Sequence, residues 1–411
     1  MDLKDPLVLD YFTLEIGKTM SDNRKINILF VSNISQLGGA ERTLLDMLRQ
    51  LDREKYAPHI ATSITGQLSS IVSSWNIPVV CLPFMRLKRS FNPFYLARVT
   101  ENILSVSWRI AKYIREKEIS IVHANNDVSM LYAGIAGMLA HTPCIWHCRD
   151  FSKICYLHRC MATCASRIIA VSQSVAEYLR KNIPQLQNQK RKKLAVVLNG
   201  IDISTIEAVA GTSSLNFRTA YGVREDEILI CTVGQLVPWK NHQLFLESAE
   251  LIAREVPSAK FIIVGGDMFN EHHDYVERLH VIASSGGLKG KVIFTGYRDD
   301  ALCILAQSDI LIHTSAREPF GRIIVEAMIL RKPIVAINSC GPSEIIRSGI
   351  DGLLVEPDNP RAITDAVIQL IKDSKLSARL VESAYKRACD FFDIRRMVTQ
   401  LESIYAELTS L

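Results

Sequence analysis

The 411-residue chain lacks several features that would assign it to a specialised class of protein. No run of about 18 apolar residues occurs, so the sequence predicts no transmembrane helix. The first 25 residues begin with acidic side chains and contain no apolar segment ahead of a small-residue cleavage site. We interpret them as an extension before the first strand, not as a signal peptide. The ten cysteines lack paired spacing, which fits a reducing cytosol better than a disulfide scaffold.

The length and composition indicate a globular protein of about two domains. Hydrophobic residues make up 48% of the chain and charged residues 22%, which is typical of folded proteins. Residues 1–200 contain 26 lysines and arginines against 15 aspartates and glutamates, whereas residues 201–411 contain 22 against 28. The basic first half could bind an anionic partner such as a membrane surface, a lipid phosphate or an acidic glycan. Its cations could equally be solvated, and charge alone leaves both interpretations open.

Short apolar segments alternate with helical segments along the whole chain. INILFVSN (26–33) is continuously apolar, as in a strand buried on both faces, and the helical segment that follows Gly38 and Gly39 has its leucines on one side. The same pattern begins again after a polar connector at residues 203–222. Such alternation predicts right-handed βαβ units and parallel sheets. We therefore expect two doubly wound α/β halves with a ligand cleft at the carboxyl ends of their strands.

Two strand-end turns in the second half suit a phosphate or a nucleotide. In VGQLVPWKN (233–241) a strand ends at Gly234, and Lys240 follows just before a helix. A glycine lets the backbone approach a ligand, and a lysine beside a helix N-terminus supplies positive charge. FTGYRDDA (294–301) places a glycine turn at the end of another strand. Each signal is weak alone, because such loops are common.

The strongest signal is EPFGRIIVEAM (318–328), in which Glu318 precedes an apolar helix and Glu326 lies within it. With Pro319 as the first helical residue, the next amides form an anion site at a positive helix end. A buried carboxylate is costly unless it is paired or hydrogen-bonded, so Glu326 predicts a contact with a ribose diol. The alternative is an internal ion pair with Arg322 or Arg331. The two other turns, at successive strand ends, favour the ligand site.

EPFGRIIVEAM resembles the E-x7-E signature of retaining glycosyltransferases with the GT-B architecture, in the large family four group. GQLVPWKN, FTGYRDD, VLNGID and RKPIVAINSCGPSEIIRSGIDGLLVEP are similar to other landmarks of that family, in the family's order. In the first half SQLGGAER resembles the glycine loop near the donor phosphates, and IVHANN and IWHCRD resemble its histidine-bearing strand ends. The resemblance covers nearly the whole chain from about residue 26.

The resemblance implies a role for each matching residue. Glu318, His147 and Lys240 would be catalytic, with Glu318 near the anomeric carbon, His147 near the sugar or acceptor and Lys240 on the diphosphate. Glu326 would bind the ribose. The remaining donor contacts would come from Gly39, Gly234, Gln235, Gly296, Tyr297, Phe320, Gly321, Arg322 and Ile323. Many relatives have arginine where this chain has Gln235, so the phosphate site would lose a bidentate cation. The double glycine common at 340–341 is Cys340-Gly341 here.

The resemblance also implies an architecture and an activity. We expect two Rossmann-like domains facing a cleft, an acceptor-binding domain at 1–205 and a donor-binding domain at 206–390, with a last helix at 391–411 returning to the first. The activity would be retaining transfer of a sugar from a nucleoside-diphosphate sugar, without a metal or other cofactor, to a glycan or lipid-linked acceptor in envelope polysaccharide or glycolipid synthesis. We expect a cytoplasmic location, with peripheral association at the inner face of an anionic membrane, and no nucleic-acid partner. A sugar-nucleotide epimerase and a catalytically silent nucleotide-sugar binding protein are the alternatives.

Two further segments allow more than one interpretation. Five cysteines and two histidines lie between Cys144 and Cys164, but without a C-x2-C pair they favour buried helix cysteines over a zinc site. MRLKRSFNPFYLARV (85–99) mixes basic and aromatic residues. It suits a loop that faces a membrane or an acceptor, or a helix with a solvated basic face.

Overall fold

The computed structural model describes residues 25–64, 66–88, 90–187, 193–212 and 216–410. The interpretation of residues 1–24 as an extension therefore lies outside the described part of the chain. Within it, the strands form two parallel sheets, as expected from the alternating pattern. The first sheet contains β1 (Ile26–Ser32), β2 (Tyr56–Ser63), β3 (Val79–Leu82), β4 (Ile121–Ala124), β5 (Cys144–Cys148), β6 (Arg167–Ala170) and β7 (Leu194–Val196). The second contains β8 (Ile228–Val233), β9 (Ala259–Val264), β10 (Val292–Phe294), β11 (Ile310–His313), β12 (Ile334–Ile337) and β13 (Leu353–Val355).

Helices connect the strands and cover the sheets. In the first half they are α1 (Gly39–Gln50), α2 (Gln67–Ser74), α3 (Pro93–Glu116), α4 (Asp127–Ala140), α5 (Tyr156–Cys164) and α6 (Gln173–Asn182). After it come α7 (Ile203–Thr212), α8 (Phe217–Ala220), α9 (His242–Glu255), α10 (His273–Ala283), α11 (Ala301–Gln307), α12 (Arg322–Ile329), α13 (Cys340–Ile345), α14 (Pro360–Lys372), α15 (Ser374–Phe391) and α16 (Ile394–Thr409). The predicted connector at 203–222 thus contains two helices, because its apolar residues Ile206 and Phe217 are buried. No helix in the described ranges combines the length and apolar character needed to cross a membrane.

The strand order places a switch point in the middle of each sheet. The first sheet runs β3-β2-β1-β4-β5-β6-β7 and the second β10-β9-β8-β11-β12-β13. The crossovers change direction between β1 and β4 and between β8 and β11, and in such sheets ligands bind beyond the carboxyl ends of the strands at these points. The fold is therefore α/β, with two Rossmann-like units.

The last helix packs on the first sheet's unit. Its buried face contains Met397, Leu401 and Tyr405, and the Tyr405 ring meets that of Tyr56 at a centroid distance of 5.8 Å. The amide of Asp52 donates to the carboxylate of Glu402 at 3.0 Å. An amphipathic helix that buries its apolar stripe in this way fastens the end of the chain to the first unit.

Helix α12 begins later than predicted. It starts at Arg322, not at Pro319, because Gly321 adopts a left-handed φ of 103° that cannot continue into a helix. The preceding loop is held by the amide of Gly341, which donates to the carbonyl of Glu318 at 3.0 Å. The first free amides of the helix are therefore those of Arg322 and Ile323.

Candidate active site

The loops after β8 and β11 meet at a lysine–glutamate pair. The aliphatic part of Lys240 runs past Gly234, where an added Cβ would lie 3.7 Å from the lysine side chain. Its Nζ reaches Oε2 of Glu318 at 2.5 Å, and Nε2 of His313 lies 3.4 Å from the same oxygen. The structure thus brings together two predicted site residues and adds His313, which the sequence analysis did not select.

Glu318 is held in its ionised form. Burial alone would raise its pKa, but the charge of Lys240 and the contact with His313 outweigh burial and hold the pKa of this carboxyl well below 4.5. A carboxylate in this position can stabilise positive charge on a ligand atom that approaches it.

Glu326 pairs with Arg322 on its own helix, and Arg322 also reaches the first domain. Arg322 Nε donates to Glu326 Oε1 at 2.7 Å, and Arg322 Nη2 donates to Asp46 Oδ2 on α1, also at 2.7 Å. Nη1 donates to Thr43 Oγ1 at 3.1 Å. The internal pair considered from the sequence is therefore present for Glu326, whereas Arg331 pairs with Glu382 instead. Since Arg322 engages Oε1 of Glu326, Oε2 is the atom left for a ligand.

The turn after β10 is exposed toward the cleft. Gly296 has a φ of 67°, and its carbonyl accepts from the amide of Gly265 at 3.0 Å, which fixes the turn. Tyr297 is 46% exposed, and its hydroxyl donates to Asp299 at 2.8 Å. In the loop after β8, the backbone carbonyl of Gln235 is 2.9 Å from Nε2 of His242, whereas the side chain of Gln235 lies near Met268. Gln235 thus supplies no charge at the position where the family resemblance implies an arginine.

The first domain contributes the N-terminus of α1. Gly39 is exposed, and no atom lies within 4 Å of the position that a Cβ would occupy. Beneath it, Glu41 accepts from Ser32 Oγ and from the Gly38 amide, both at 3.2 Å. Burial raises the pKa of Glu41, although Arg149 acts in the opposite direction. The buried carboxyl group of Glu41 therefore holds the glycine turn in place, while the backbone of Gly39 is accessible to a ligand.

Two buried histidines form a chain of hydrogen bonds at the ends of β4 and β5. His147 Nδ1 lies 3.0 Å from His123 Nε2 and 3.2 Å from Nη2 of Arg149. His123 Nδ1 lies 2.7 Å from the hydroxyl of Tyr405 on α16. Burial, reinforced by Arg149, lowers the pKa of His123 to about 3 and that of His147 well below 6.5. Both imidazoles are therefore neutral near pH 7.

The geometry determines which nitrogen of each histidine carries the proton. A guanidinium can only donate, so Nδ1 of His147 must accept and its proton must be on Nε2. His123 Nε2 faces the same acceptor, so it carries the proton, and Tyr405 then donates to His123 Nδ1. Nε2 of His147 is buried and has no hydrogen-bond partner among the described residues. His147 therefore presents an unused N–H group.

Arg149 and Asp150 also belong to this end of the cleft, although the sequence analysis did not select them. Arg149 is buried and donates to Asn125 at 3.0 Å and to Asn199 at 2.8 Å. Its burial lowers its pKa to about 10. Asp150 lies at the surface of the cleft. The protein around it nevertheless desolvates its carboxyl group and, together with the negative charges of Asp127 and Glu318, raises its pKa to about 6. Both lie within three residues of His147 in the sequence, which is the signal that could have identified them.

The Cys340-Gly341 pair has a structural explanation. A Cβ at residue 341 would lie 2.2 Å from the carbonyl oxygen of Phe320, so only glycine fits there. Cys340 has a φ of 47°, in the left-handed region that favours glycine. The glycine that the family resemblance implies at this position would adopt that conformation without strain, whereas the cysteine holds it at some cost.

The cysteine-rich segment contains an ordered thiol–imidazole–carboxylate set. Cys155 Sγ lies 3.3 Å from Nδ1 of His158, whose Nε2 is 3.6 Å from Oδ2 of Asp127. The contact with Asp127 raises the pKa of His158. Among the described residues, no group of three or more histidine, cysteine or acidic side chains is arranged to hold a metal ion.

Comparison with known proteins identifies the family. Residues 214–387 match "Glycosyl transferases group 1", and residues 37–205 match "Glycosyltransferase Family 4". The chain is a group 1 glycosyltransferase with the GT-B architecture. The resemblance inferred from the sequence is thereby confirmed at the level of family and fold.

Individual relatives agree with this assignment. This glycosyltransferase is 22% identical to the UDP-Gal:alpha-D-GlcNAc-diphosphoundecaprenol alpha-1,3-galactosyltransferase of Escherichia coli, over 94% of this chain and 98% of the relative. It is 30% identical to an uncharacterised glycosyltransferase of Methanocaldococcus jannaschii, over 62% of this chain and 64% of the relative. The crystal structure of Anabaena HepE in complex with UDP-glucose superposes with a TM-score of 0.77 at 24% identity, covering 93% of this chain and all of that one.

Proposed function

We propose that this glycosyltransferase transfers a sugar, with retention of anomeric configuration, from a nucleoside-diphosphate sugar to an acceptor hydroxyl. The observation that carries the proposal is the ionised Glu318, paired with Lys240 at the switch point of the second sheet. During transfer, negative charge develops on the leaving diphosphate and positive charge on the anomeric carbon. The lysine can stabilise the first and the carboxylate beside it the second. The amides of Arg322 and Ile323 would add to the diphosphate site.

The donor is proposed to bind with its ribose on Oε2 of Glu326 and its base beside Gly296 and Tyr297. Lys240 would exchange its contact with Glu318 for one with the diphosphate. The N–H of His147 would donate to a sugar or acceptor oxygen, since it is buried and no described residue accepts from it. Uridine nucleotides are the first to test, because the HepE structure contains UDP-glucose. The scheme needs no metal ion, and an activity abolished by EDTA would contradict it.

The deciding experiment measures binding of UDP, GDP, ADP and their glucose conjugates by thermal shift. A ligand present at 100 times its dissociation constant adds about 2.7 kcal/mol to the free energy of unfolding. We expect one nucleotide to stabilise the wild-type protein and to lose that effect in Glu326→Ala. Glu382→Ala is the control, since Glu382 is exposed and pairs with Arg331. If no nucleotide stabilises the wild-type protein, the proposed donor site is wrong.

Retention and transfer need separate measurements. With the donor identified, NMR of the first product formed should show the same anomeric configuration as the donor. Inversion would contradict the role given to Glu318. Turnover of the donor without any acceptor, to an epimeric nucleotide sugar, would favour the epimerase alternative. Tight donor binding without either reaction would favour a binding protein.

The acceptor is proposed to be lipid-linked, in polysaccharide or glycolipid synthesis, at an anionic membrane surface. The first support is the name of the E. coli relative, which specifies a diphosphoundecaprenol acceptor. The second is the exposed side of α3 and its N-terminal loop, where Phe91 is 100%, Phe94 85% and Trp108 59% exposed. The same helix also exposes Arg98, Arg109, Lys112 and Arg115 together with Glu101 and Glu116, the second of which pairs with Lys112. Apolar rings among cations suit the headgroup region of an anionic bilayer.

Vesicle sedimentation tests the membrane contact. Binding to phosphatidylglycerol vesicles should exceed binding to phosphatidylcholine vesicles, decrease with salt, and decrease further in the double variant Phe94→Ser/Trp108→Ser. The double variant should bind nucleotide as the wild-type protein does. Equal binding of both proteins to both lipids would contradict this surface.

A further inference from the structure

A groove of about 370 Å³ lies between the two domains, next to the loop that carries Glu318. One wall is formed by side chains of α6 that lie three or four residues apart and therefore on one face of the helix. The other wall comes from the second domain. The lining residues are Phe151, Ser174, Glu177, Tyr178, Lys181, Arg317 and Cys340. The volume is within the range of small-ligand sites, about 300–1,000 Å³.

The walls of the groove are fixed by contacts between the domains. Glu344, on α13, accepts from the amides of Gln173 and Ser174 at the start of α6, each at 2.7 Å. The hydroxyl of Tyr178 donates to the carbonyl of Ser152 at 2.9 Å, which fastens the Phe151 loop to α6. The guanidinium of Arg317 lies 5.7 Å from the centre of the Phe151 ring, across the domain boundary. Contacts between the two domains therefore hold the side chains that line the groove in place.

The groove has unused positive charge. Arg317 and Lys181 are exposed, and neither forms an ion pair with another described residue. Glu177 is the one carboxylate among the lining residues. Glu344 also lies close by, but both of its oxygens are engaged by amides of α6. Two free cations with two aromatic rings favour an anionic ligand attached to an apolar or cyclic group.

The position of the groove relates it to the reaction. Arg317 directly precedes Glu318, so the groove begins one residue from the carboxylate that we place at the anomeric carbon. An acceptor must deliver its hydroxyl to that carbon, and the remainder of the acceptor must lie beside it. A neutral acceptor would leave both cations without an anionic partner.

We propose that this groove binds a phosphate or diphosphate group of the acceptor, with Arg317 and Lys181 as its cations. Phe151 and Tyr178 pack against the portion of the acceptor next to that group. The inference rests on the proposed function for the direction in which the acceptor enters, but the anion site itself is independent of the donor.

The test is calorimetric titration with two probes, farnesyl diphosphate and inorganic pyrophosphate, in the presence of saturating UDP. UDP occupies the donor diphosphate site, so a probe that still binds is bound elsewhere. Arg317→Gln and Lys181→Gln should each weaken farnesyl diphosphate binding about tenfold, since each removes a charge-assisted contact. Both should leave the affinity for UDP unchanged. Lys386→Gln, an exposed lysine on α15 that pairs with Asp390, should alter neither.

Each outcome decides a different point. Equal affinity for the two probes would show that the groove binds the diphosphate alone. If farnesyl diphosphate binds more tightly than pyrophosphate, and Phe151→Ala reduces that difference, the groove also binds the chain next to the diphosphate. Absence of farnesyl diphosphate binding, its loss when UDP is added, or its persistence in both cation variants would overturn the proposal. If UDP itself does not bind but farnesyl diphosphate binding requires Arg317 and Lys181, the proposed donor site is wrong and the proposed anion site in the groove is supported.

Discussion

The hydroxyl of Tyr405 lies 2.7 Å from Nδ1 of His123, and this contact connects the last helix of the chain to the buried end of the cleft. His123 in turn contacts His147, which is the predicted catalytic histidine. Tyr405 is therefore a positioning residue. Its hydroxyl donates to Nδ1 of His123 and so reinforces the tautomer that Arg149 imposes through His147, in which both histidines carry their proton on Nε2.

Replacing Tyr405 by phenylalanine should weaken the preference for this tautomer at His123 while preserving the helix. The loss of one buried hydrogen bond should lower the free energy of unfolding by about 1–3 kcal/mol. Two-bond ¹H–¹⁵N spectra of the histidines should show a defined Nε2–H tautomer for His123 and His147 in the wild-type protein and a mixture for His123 in Tyr405→Phe.

Tyr56→Phe is the matched control, because the Tyr56 ring contacts that of Tyr405 while its hydroxyl donates to the carbonyl of Glu402 at 3.3 Å. It should leave both tautomers unchanged. A Tyr405→Phe spectrum identical to that of the wild-type protein would show that Arg149 alone sets the tautomers.

The fold could be predicted from the sequence because each strand is a short apolar segment between helical ones. INILFVSN became β1, and DILIHTS and PIVAINS became β11 and β12. Helix boundaries were less predictable. The start of α12 was placed at Pro319 because proline suits a first helical turn. The structure begins it at Arg322, because the left-handed φ of Gly321 and its contact with the Gly341 loop are tertiary features that the local pattern does not contain.

The site was predictable only where its residues lie within one motif. Lys240 and Glu318 were selected from separate motifs, and their contact at 2.5 Å follows from the neighbouring positions of β8 and β11. Asp46 and Tyr405 could not be selected. Each lies on a helix whose sequence is amphipathic and ordinary, and each reaches the site only through the packing of one element on another.

The ionisation of Glu318 should make part of the protein's stability depend on pH. Its pKa is depressed in the folded state, so its contribution is complete above the unfolded value of 4.5 and is lost as the pH falls below it. At about pH 3.5 the loss due to this group should be about 1.4 kcal/mol relative to pH 6. Urea unfolding at both pH values should show this difference in the wild-type protein and not in Glu318→Gln.

Lys240→Met tests the cause of that depression. Without the lysine, burial should raise the pKa of Glu318, so the pH-dependent loss should become smaller. At neutral pH the variant should be less stable by about 3 kcal/mol, because a buried carboxylate loses its partner. Glu382→Gln, which removes an exposed carboxylate, should retain the pH dependence of the wild-type protein. An unchanged pH profile in Lys240→Met would assign the effect to His313.

The pair between Arg322 and Asp46 should hold the domains together. Both side chains are largely buried, and the contact spans the cleft from α12 to α1. Asp46→Asn should therefore lower the free energy of unfolding by about 3 kcal/mol. It should also increase the radius of gyration measured by small-angle scattering, because the closed arrangement loses its buried charge pair.

A second pair across the cleft provides the control. Arg86 and Glu271 also lie 2.7 Å apart, but their side chains are 44% and 41% exposed. Arg86→Gln should cost no more than about 1 kcal/mol, since exposed ion pairs contribute little. Equal effects of Asp46→Asn and Arg86→Gln on stability and scattering would show that burial of the Arg322 pair has no special role in closure.

Cys155 should be the most readily alkylated exposed thiol in the described part of the chain. Partial burial would raise its pKa, but hydrogen bonds from His158 and from backbone amides at the start of α5 outweigh burial and lower the pKa below 9.0. The thiolate is the reactive form, so its larger population at pH about 7 should make iodoacetamide react severalfold faster at Cys155 than at exposed Cys81. Peptide mass spectrometry over time measures both rates in one sample. His158→Ala should bring the two rates together, and equal rates already in the wild-type protein would show that the imidazole 3.3 Å from Sγ does not activate this thiol.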